Sequence, residues 1–218
     1  MFNHHVCVPD MAIQIMSPSG NGAIVKEINE EKRYIVTAGR QSNSTTKSWC
    51  TPLNIIESVK AVFGGVIDLD PCSNEFSQVK ATTEYMLPSA DGLKESWAYS
   101  HIYVNPPYGS DPVRKTRISH WFDKIVEAYR NGSEVITLVP VATNTGHWKN
   151  SVYPVATAIC FLSAPRLKFS INGVEDSKGA PMACAVIYYG KHMNRFAQEF
   201  SKHGVVIPLA EAILPLPS

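Results

Sequence analysis

The tightest constraint on how this chain folds lies in one nonapeptide, His101-Ile102-Tyr103-Val104-Asn105-Pro106-Pro107-Tyr108-Gly109. Its opening residues are apolar and β-prone and read as a buried strand. The two prolines that follow cannot donate to a β-ladder, so the strand must stop there. Each proline ring also fixes its own φ and biases the residue before it towards extended geometry. The strand therefore delivers a stiff, kinked loop that carries one amide, Asn105, and one aromatic ring, Tyr108, before Gly109 releases the chain.

The Asn105 amide oxygen and the Pro106 carbonyl offer two neighbouring acceptors. They suit a planar amine with two N–H donors, and Tyr108 suits stacking on a planar ring. A heteroaromatic amine such as adenine has both features. An ordinary strand-to-loop turn would use the same residue types.

The surrounding chain reads as α/β. Thr51-Pro52 marks a helix start, with Thr51 as N-cap and Pro52 at the first helical position. Leu53, Ile56, Val59 and Phe63 follow at helical spacing until Gly64-Gly65. Val66 to Leu69 reads as a short strand delivering Asp68, Asp70 and Pro71 at its C-terminal end, where ligands bind in open α/β sheets. Phe76 to Tyr85 suggests a short helix, and Asp91-Gly92 a turn. Ile118, Trp121, Phe122, Ile125, Val126 and Tyr129 form an apolar helical stripe stopped by Gly132. Glu134 to Pro140 reads as a buried strand, Thr157 to Leu162 as another, and Met182 to Tyr189 closes an antiparallel pair with the Arg166–Phe169 region. A last short helix begins at Phe196. Upstream, Ala23–Ile28 and Arg33–Thr37 suggest a hairpin, and residues 41–48 a polar linker.

At 218 residues, 44% hydrophobic and 18% charged, the chain has the size and balance of one globular domain with an appendage. The expected division is an N-terminal extension over 1–47, a main domain over 48–207 and a Pro-rich tail over 208–218. No apolar run reaches a membrane span and no secretory signal opens the chain, so the expectation is a cytoplasmic protein. Five cysteines, odd in number and scattered without a CxxC, suggest neither a disulfide framework nor a metal site. A net charge of +1 means that any nucleic-acid contact must come from local positive charge. The densest basic cluster is Arg114, Lys115 and Arg117, directly after the Asn-Pro-Pro-Tyr loop. A solvated loop would explain it equally well.

Asn105-Pro106-Pro107-Tyr108 resembles the catalytic motif of amino-group methyltransferases that use S-adenosylmethionine. Together with Trp49-Cys50-Thr51-Pro52, Asp68-Leu69-Asp70-Pro71-Cys72-Ser73 and Asp91-Gly92-Leu93, in that order, it resembles the phage-type DNA adenine methyltransferases (Dam-like) over about residues 48–207. The resemblance implies a Rossmann-like methyltransferase fold with a shortened, mostly parallel sheet and an antiparallel C-terminal strand pair. It implies catalysis by Asn105, Pro106, Pro107 and Tyr108 on the N6 amine of a flipped adenine in double-stranded DNA, with GATC as a first guess for the target. Trp49, Thr51, Pro52, Asp68, Asp70, Pro71, Cys72, Asp91 and Asn105 become cofactor candidates. Arg114, Lys115, Arg117, Asn144, His147, Lys149, Arg166 and Lys168 become DNA-contact candidates. No metal is implied, the oligomeric state is left open with a monomer as one possibility, and a phage-encoded protein would work in the bacterial host cytoplasm, in a setting such as restriction–modification.

The glycine-rich GxG turn of many relatives is missing, with Cys72-Ser73-Asn74 in its place. This leaves open whether Asp68–Pro71 serves as the first or the second cofactor motif. Two other readings stay open: methylation of a glutamine side-chain amide in a protein, and a non-catalytic DNA-binding protein with the same fold.

Overall fold

The computed structural model describes residues 34–35, 41–42, 49–163, 165–171, 174–175 and 179–209. All of them belong to the unit that runs from Lys32 onward. The expected strand Ala23–Ile28 and the expected tail beyond residue 209 lie outside these residues. Tyr34–Ile35 pairs antiparallel with Gln41–Ser42, so the expected polar linker opens with a strand.

Seven strands form the main sheet: β1 (Leu69–Asp70), β2 (Thr83–Glu84), β3 (His101–Val104), β4 (Glu134–Pro140), β5 (Ala158–Leu162), β6 (Cys184–Tyr189) and β7 (Gly204–Pro208). Their spatial order is β7-β5-β6-β4-β3-β1-β2. The block β4-β3-β1-β2 is parallel, and β6, β5 and β7 join it through antiparallel pairings. The fold is thus mixed α/β. It exceeds the expected antiparallel pair by one strand, β7, which lies on the sheet edge and carries exposed Val205 and Ile207. The antiparallel partners of β6 are β4 and β5 rather than the segment around Phe169.

Side chains alternate across the sheet with period two, as two-sided burial requires. Tyr103, Ile136, Leu138, Cys160, Val186 and Tyr188 face one core layer, which helices α1 (Leu53–Val62) and α3 (Met193–Phe200) cover. Ile102, Val104, Val135, Val139, Ile159 and Ile187 face the other, covered by helix α2 (Ile118–Arg130) and a π turn at Trp148–Val152.

Two helix ends follow the expected glycine logic. After α1, Gly64 (φ +79°) donates to Ala61 O and Gly65 to Lys60 O. After α2, Gly132 (φ +100°) donates to Tyr129 O and Ser133 to Ala128 O. Both are Schellman closures, which need a left-handed residue at that position.

Two expectations are corrected. The α1 helix begins at Leu53 with Pro52 as its N-cap and no side-chain cap; Thr51 instead shares a 2.7 Å hydrogen bond with the buried Tyr103 hydroxyl. No helix forms over Phe76–Tyr85. That segment is a loop ending in β2, held by Val79 in the core and by pairing with β1. Tertiary contacts outweigh its weak helical pattern.

Candidate active site

The chain leaves β1 for β2 on one side and then returns to β3 on the other. Strand order therefore reverses between β1 and β3, the crevice where open α/β sheets hold ligands. Asp70 ends one of these strands and Asn105 follows the other.

On the β1 side, Asp70 is almost fully buried. Its Oδ1 accepts the Cys72 N–H at 3.0 Å and its Oδ2 the Ser77 hydroxyl at 3.5 Å. Burial raises its pKa to about 7, opposed by the Cys72 bond and assisted by Glu84. Ser73 Oγ, two residues after Pro71, is buried with no hydrogen-bond partner. Gly92 lies against this turn, and a Cβ there would sit 2.0 Å from the Pro71 carbonyl oxygen. The Gly92 carbonyl in turn accepts the Trp97 indole N–H at 2.8 Å. Only glycine allows the two loops to meet so closely, a role beyond the turn that Asp91-Gly92 suggested.

On the β3 side, the Asn105 amide is fixed at both ends. Its Nδ2 donates to the Trp49 carbonyl at 3.0 Å, and its Oδ1 accepts the Tyr108 hydroxyl at 2.9 Å. The Tyr108 hydroxyl also lies 3.3 Å from Leu138 O. Its ring meets Trp49 edge-on at 6.4 Å and Phe169 at 6.1 Å, while Trp49 and Phe169 stack at 5.3 Å. The Trp49 indole N–H has no partner. Asn105 and Tyr108 are half-buried, Pro106 is buried and Pro107 is exposed. In this arrangement the Tyr108 phenol occupies the Asn105 amide oxygen.

The structure brings Trp49, Asp70, Pro71, Cys72 and Asn105 to the strand ends and separates Asp68 from them. Asp68 Oδ2 accepts the His101 N–H at 2.9 Å and lies 3.4 Å from the His101 ring nitrogen, at the start of β3. Asp91 accepts the Leu93 N–H and pairs with Arg114. A cofactor candidate and a DNA-contact candidate therefore occupy each other. Arg114 sits in a small hairpin, Ser110–Asp111 with Thr116–Arg117, whose turn places exposed Lys115 in the left-handed region (φ +54°).

Beyond β4, Asn144 and Lys149 are exposed. His147 packs its ring on Phe122 at 5.0 Å, and burial lowers its pKa. Arg166 and Lys168 are exposed on the segment that carries Phe169. Phe169, Gly92 and Ser73 lie in segments the sequence reading singled out but were not among its site candidates. Phe169 is recognisable only once Ser170 is seen paired with Cys50.

The donor set at β1 fits S-adenosylmethionine. A buried carboxylate matches its cationic groups, and the unpartnered Ser73 hydroxyl and Trp49 indole N–H await polar partners. Among the described residues no cluster suited to a metal occurs.

Fold and site together define an α/β protein that places a buried carboxylate and a proline-stiffened amide at neighbouring strand ends, where the strand order reverses. The chain belongs to the DNA N-6-adenine-methyltransferase (Dam) family, whose model matches residues 39–205. No curated protein and no solved structure matches it.

Proposed function

We propose that the protein is a DNA adenine-N6 methyltransferase of Rossmann-like fold that uses S-adenosylmethionine. The observation that carries this reading is the Asn105 amide, oriented by Trp49 after the strand β3 that pairs with β1, whose end holds buried Asp70. Family membership favours DNA over a glutamine amide.

Bound at β1, the cofactor supplies a methyl group on a positively charged sulfur, open to attack by nitrogen. Asp70, Ser73 and Trp49 are the residues that would hold it, and the position of β1 beside β3 favours the first-motif role for Asp70-Pro71. On the substrate side, the Trp49 carbonyl fixes the direction of Asn105 Oδ1. When the Tyr108 hydroxyl yields its place, that oxygen and the Pro106 carbonyl accept the two hydrogens of the adenine amine and draw its lone pair out of ring conjugation. Orientation of this kind lowers barriers by several kcal/mol, and fixed dipoles add to it. A base inside a duplex cannot reach the crevice, so the adenine is flipped, and Tyr108 turns to stack upon it. The amine proton leaves after the new N–C bond forms, so no general base is required.

Incubation with unmethylated plasmid and cofactor, followed by mapping of modified adenines with GATC as the first candidate, tests the reading. Methylated adenine is expected, and Asn105→Ala is expected to lose the chemical step while keeping cofactor binding. Transfer to protein but not DNA, or wild-type single-turnover rates in Asn105→Ala, would overturn it.

A further inference from the structure

Side chains two apart on a β-strand share a face. Tyr103, in β3, and Asn105, just beyond it, therefore meet the same neighbour, while Val104 between them enters the opposite core layer. That neighbour is the segment Trp49–Thr51, and it is joined to them twice. The Thr51 and Tyr103 hydroxyls share a 2.7 Å hydrogen bond, and Asn105 Nδ2 donates to the Trp49 carbonyl at 3.0 Å. Two positions back along one segment match two positions forward along the other, the contact order of an antiparallel pair.

The Tyr103–Thr51 rung lies inside the core. Thr51 is 2% exposed and Tyr103 fully buried, so neither hydroxyl can turn to water when the other is lost. Burial also pushes the Tyr103 phenol well up, and it stays protonated at neutral pH. Between the two rungs the Cys50 thiol donates to Asn74 Oδ1 at 3.4 Å, which ties the same segment to the turn after Asp70. From β4, Thr137 Oγ1 donates to Val104 O at 2.9 Å and holds the backbone at the root of the Asn105 loop. Pairing with Ser170–Ile171 steadies Trp49 and Cys50 on the Phe169 side. The direction of the Asn105 amide follows from where the Trp49 carbonyl sits, because an acceptor there turns Nδ2 towards it and Oδ1 away.

We infer that Tyr103 is a positioning residue for methyl transfer. Through Thr51 it sets the register of the Trp49 carbonyl against β3, and through that carbonyl the direction of the Asn105 amide. The inference rests on the function proposed above and adds to its site a side chain that acts without touching the base. It also gives Thr51 work in orienting the amide in place of contact with the cofactor.

The experiment is single-turnover methylation of duplex DNA at saturating cofactor, comparing the wild type with Tyr103→Phe and with Tyr103→Phe/Thr51→Val. Tyr103→Phe strands the buried Thr51 hydroxyl, so the urea midpoint should fall. Its rate should fall by between about tenfold and a hundredfold, with the KM for DNA and the affinity for cofactor as in the wild type. The double variant removes both polar partners, which should restore the midpoint but not the tie, so its rate should stay low. A merely structural role would instead let the rate recover with stability. Hydrogen exchange of the Asn105 side-chain NH2, followed by NMR, gives a readout independent of activity, and it should be faster in both variants. If Tyr103→Phe fails to fold, the double variant carries the same comparison. Wild-type rates in Tyr103→Phe, a double variant that regains both stability and rate, or Asn105 exchange equal in all three proteins would overturn the inference and leave the proposed function standing. If the wild type transfers no methyl group to DNA, both fail.

Discussion

Asp70→Asn is the sharpest single perturbation available. Burial raises the Asp70 pKa from 3.8 to about 7. The folded chain therefore keeps its proton up to about pH 7, whereas the unfolded chain releases it near 3.8. Folding takes up a proton between these values, so this group's contribution to stability falls as pH rises, by about 1.4 kcal/mol per pH unit. Over the full window the loss is on the order of 4 kcal/mol. Asparagine keeps the shape, can still accept the Cys72 N–H and can donate to Ser77, and does not titrate. Urea unfolding without cofactor, from pH 4 to 8, should show Asp70→Asn gaining on the wild type steadily until about pH 7 and then holding its lead. Groups common to both proteins cancel in the difference. Two pH–stability curves that run parallel would refute the buried, proton-holding carboxylate. The same substitution should weaken S-adenosylmethionine binding, most clearly above pH 7, where the wild-type carboxylate is ionised and can pair with a cation.

Gly92→Ala forces a methyl group to within 2.0 Å of the Pro71 carbonyl. It should lower stability by about 1–3 kcal/mol in urea titration, and an unchanged midpoint would refute the close approach. Tyr108→Phe removes the hydroxyl that bonds Asn105 and Leu138. It should cost about 1 kcal/mol in the same titration while keeping the stacking ring, whereas Tyr108→Ala should weaken binding of a flipped base by about 1–3 kcal/mol in equilibrium DNA titration. Arg114→Gln breaks the pair with Asp91. Because that arginine is already engaged, the salt slope of DNA binding should stay as in the wild type, and a slope smaller by about 1 would instead place Arg114 on a phosphate.

The strand His101–Val104, its proline stop, α1, α2 and β4 were legible because each rests on local periodicity and on punctuation by Gly or Pro. The stiff loop Asn105–Tyr108 was legible for the same reason. What escaped reading depends on contacts distant along the chain. The helical pattern of Phe76–Tyr85 gives way to pairing of Thr83–Glu84 with Leu69–Asp70. Thr51 abandons its cap for Tyr103, 52 residues away. Asp68 and Asp70 look equivalent in sequence, yet period-two alternation does not separate two residues of like parity. Contacts with the His101 N–H and ring hold Asp68 at the start of β3, apart from Asp70. The neutralising partner of Arg114 likewise lies 23 residues upstream, invisible to any count of local charge.

Asn105 is clasped by Trp49 from one part of the chain, and the ring stacked on Trp49 comes from Phe169, with Cys50 and Ser170 paired to bring both ends together. The working corner thus matures late in folding, once segments more than a hundred positions apart have closed a loop. Two fragments divided between Gly132 and Ser133 would each carry half of it, so recovery of methyl transfer on mixing them would report directly on reassembly of the whole sheet.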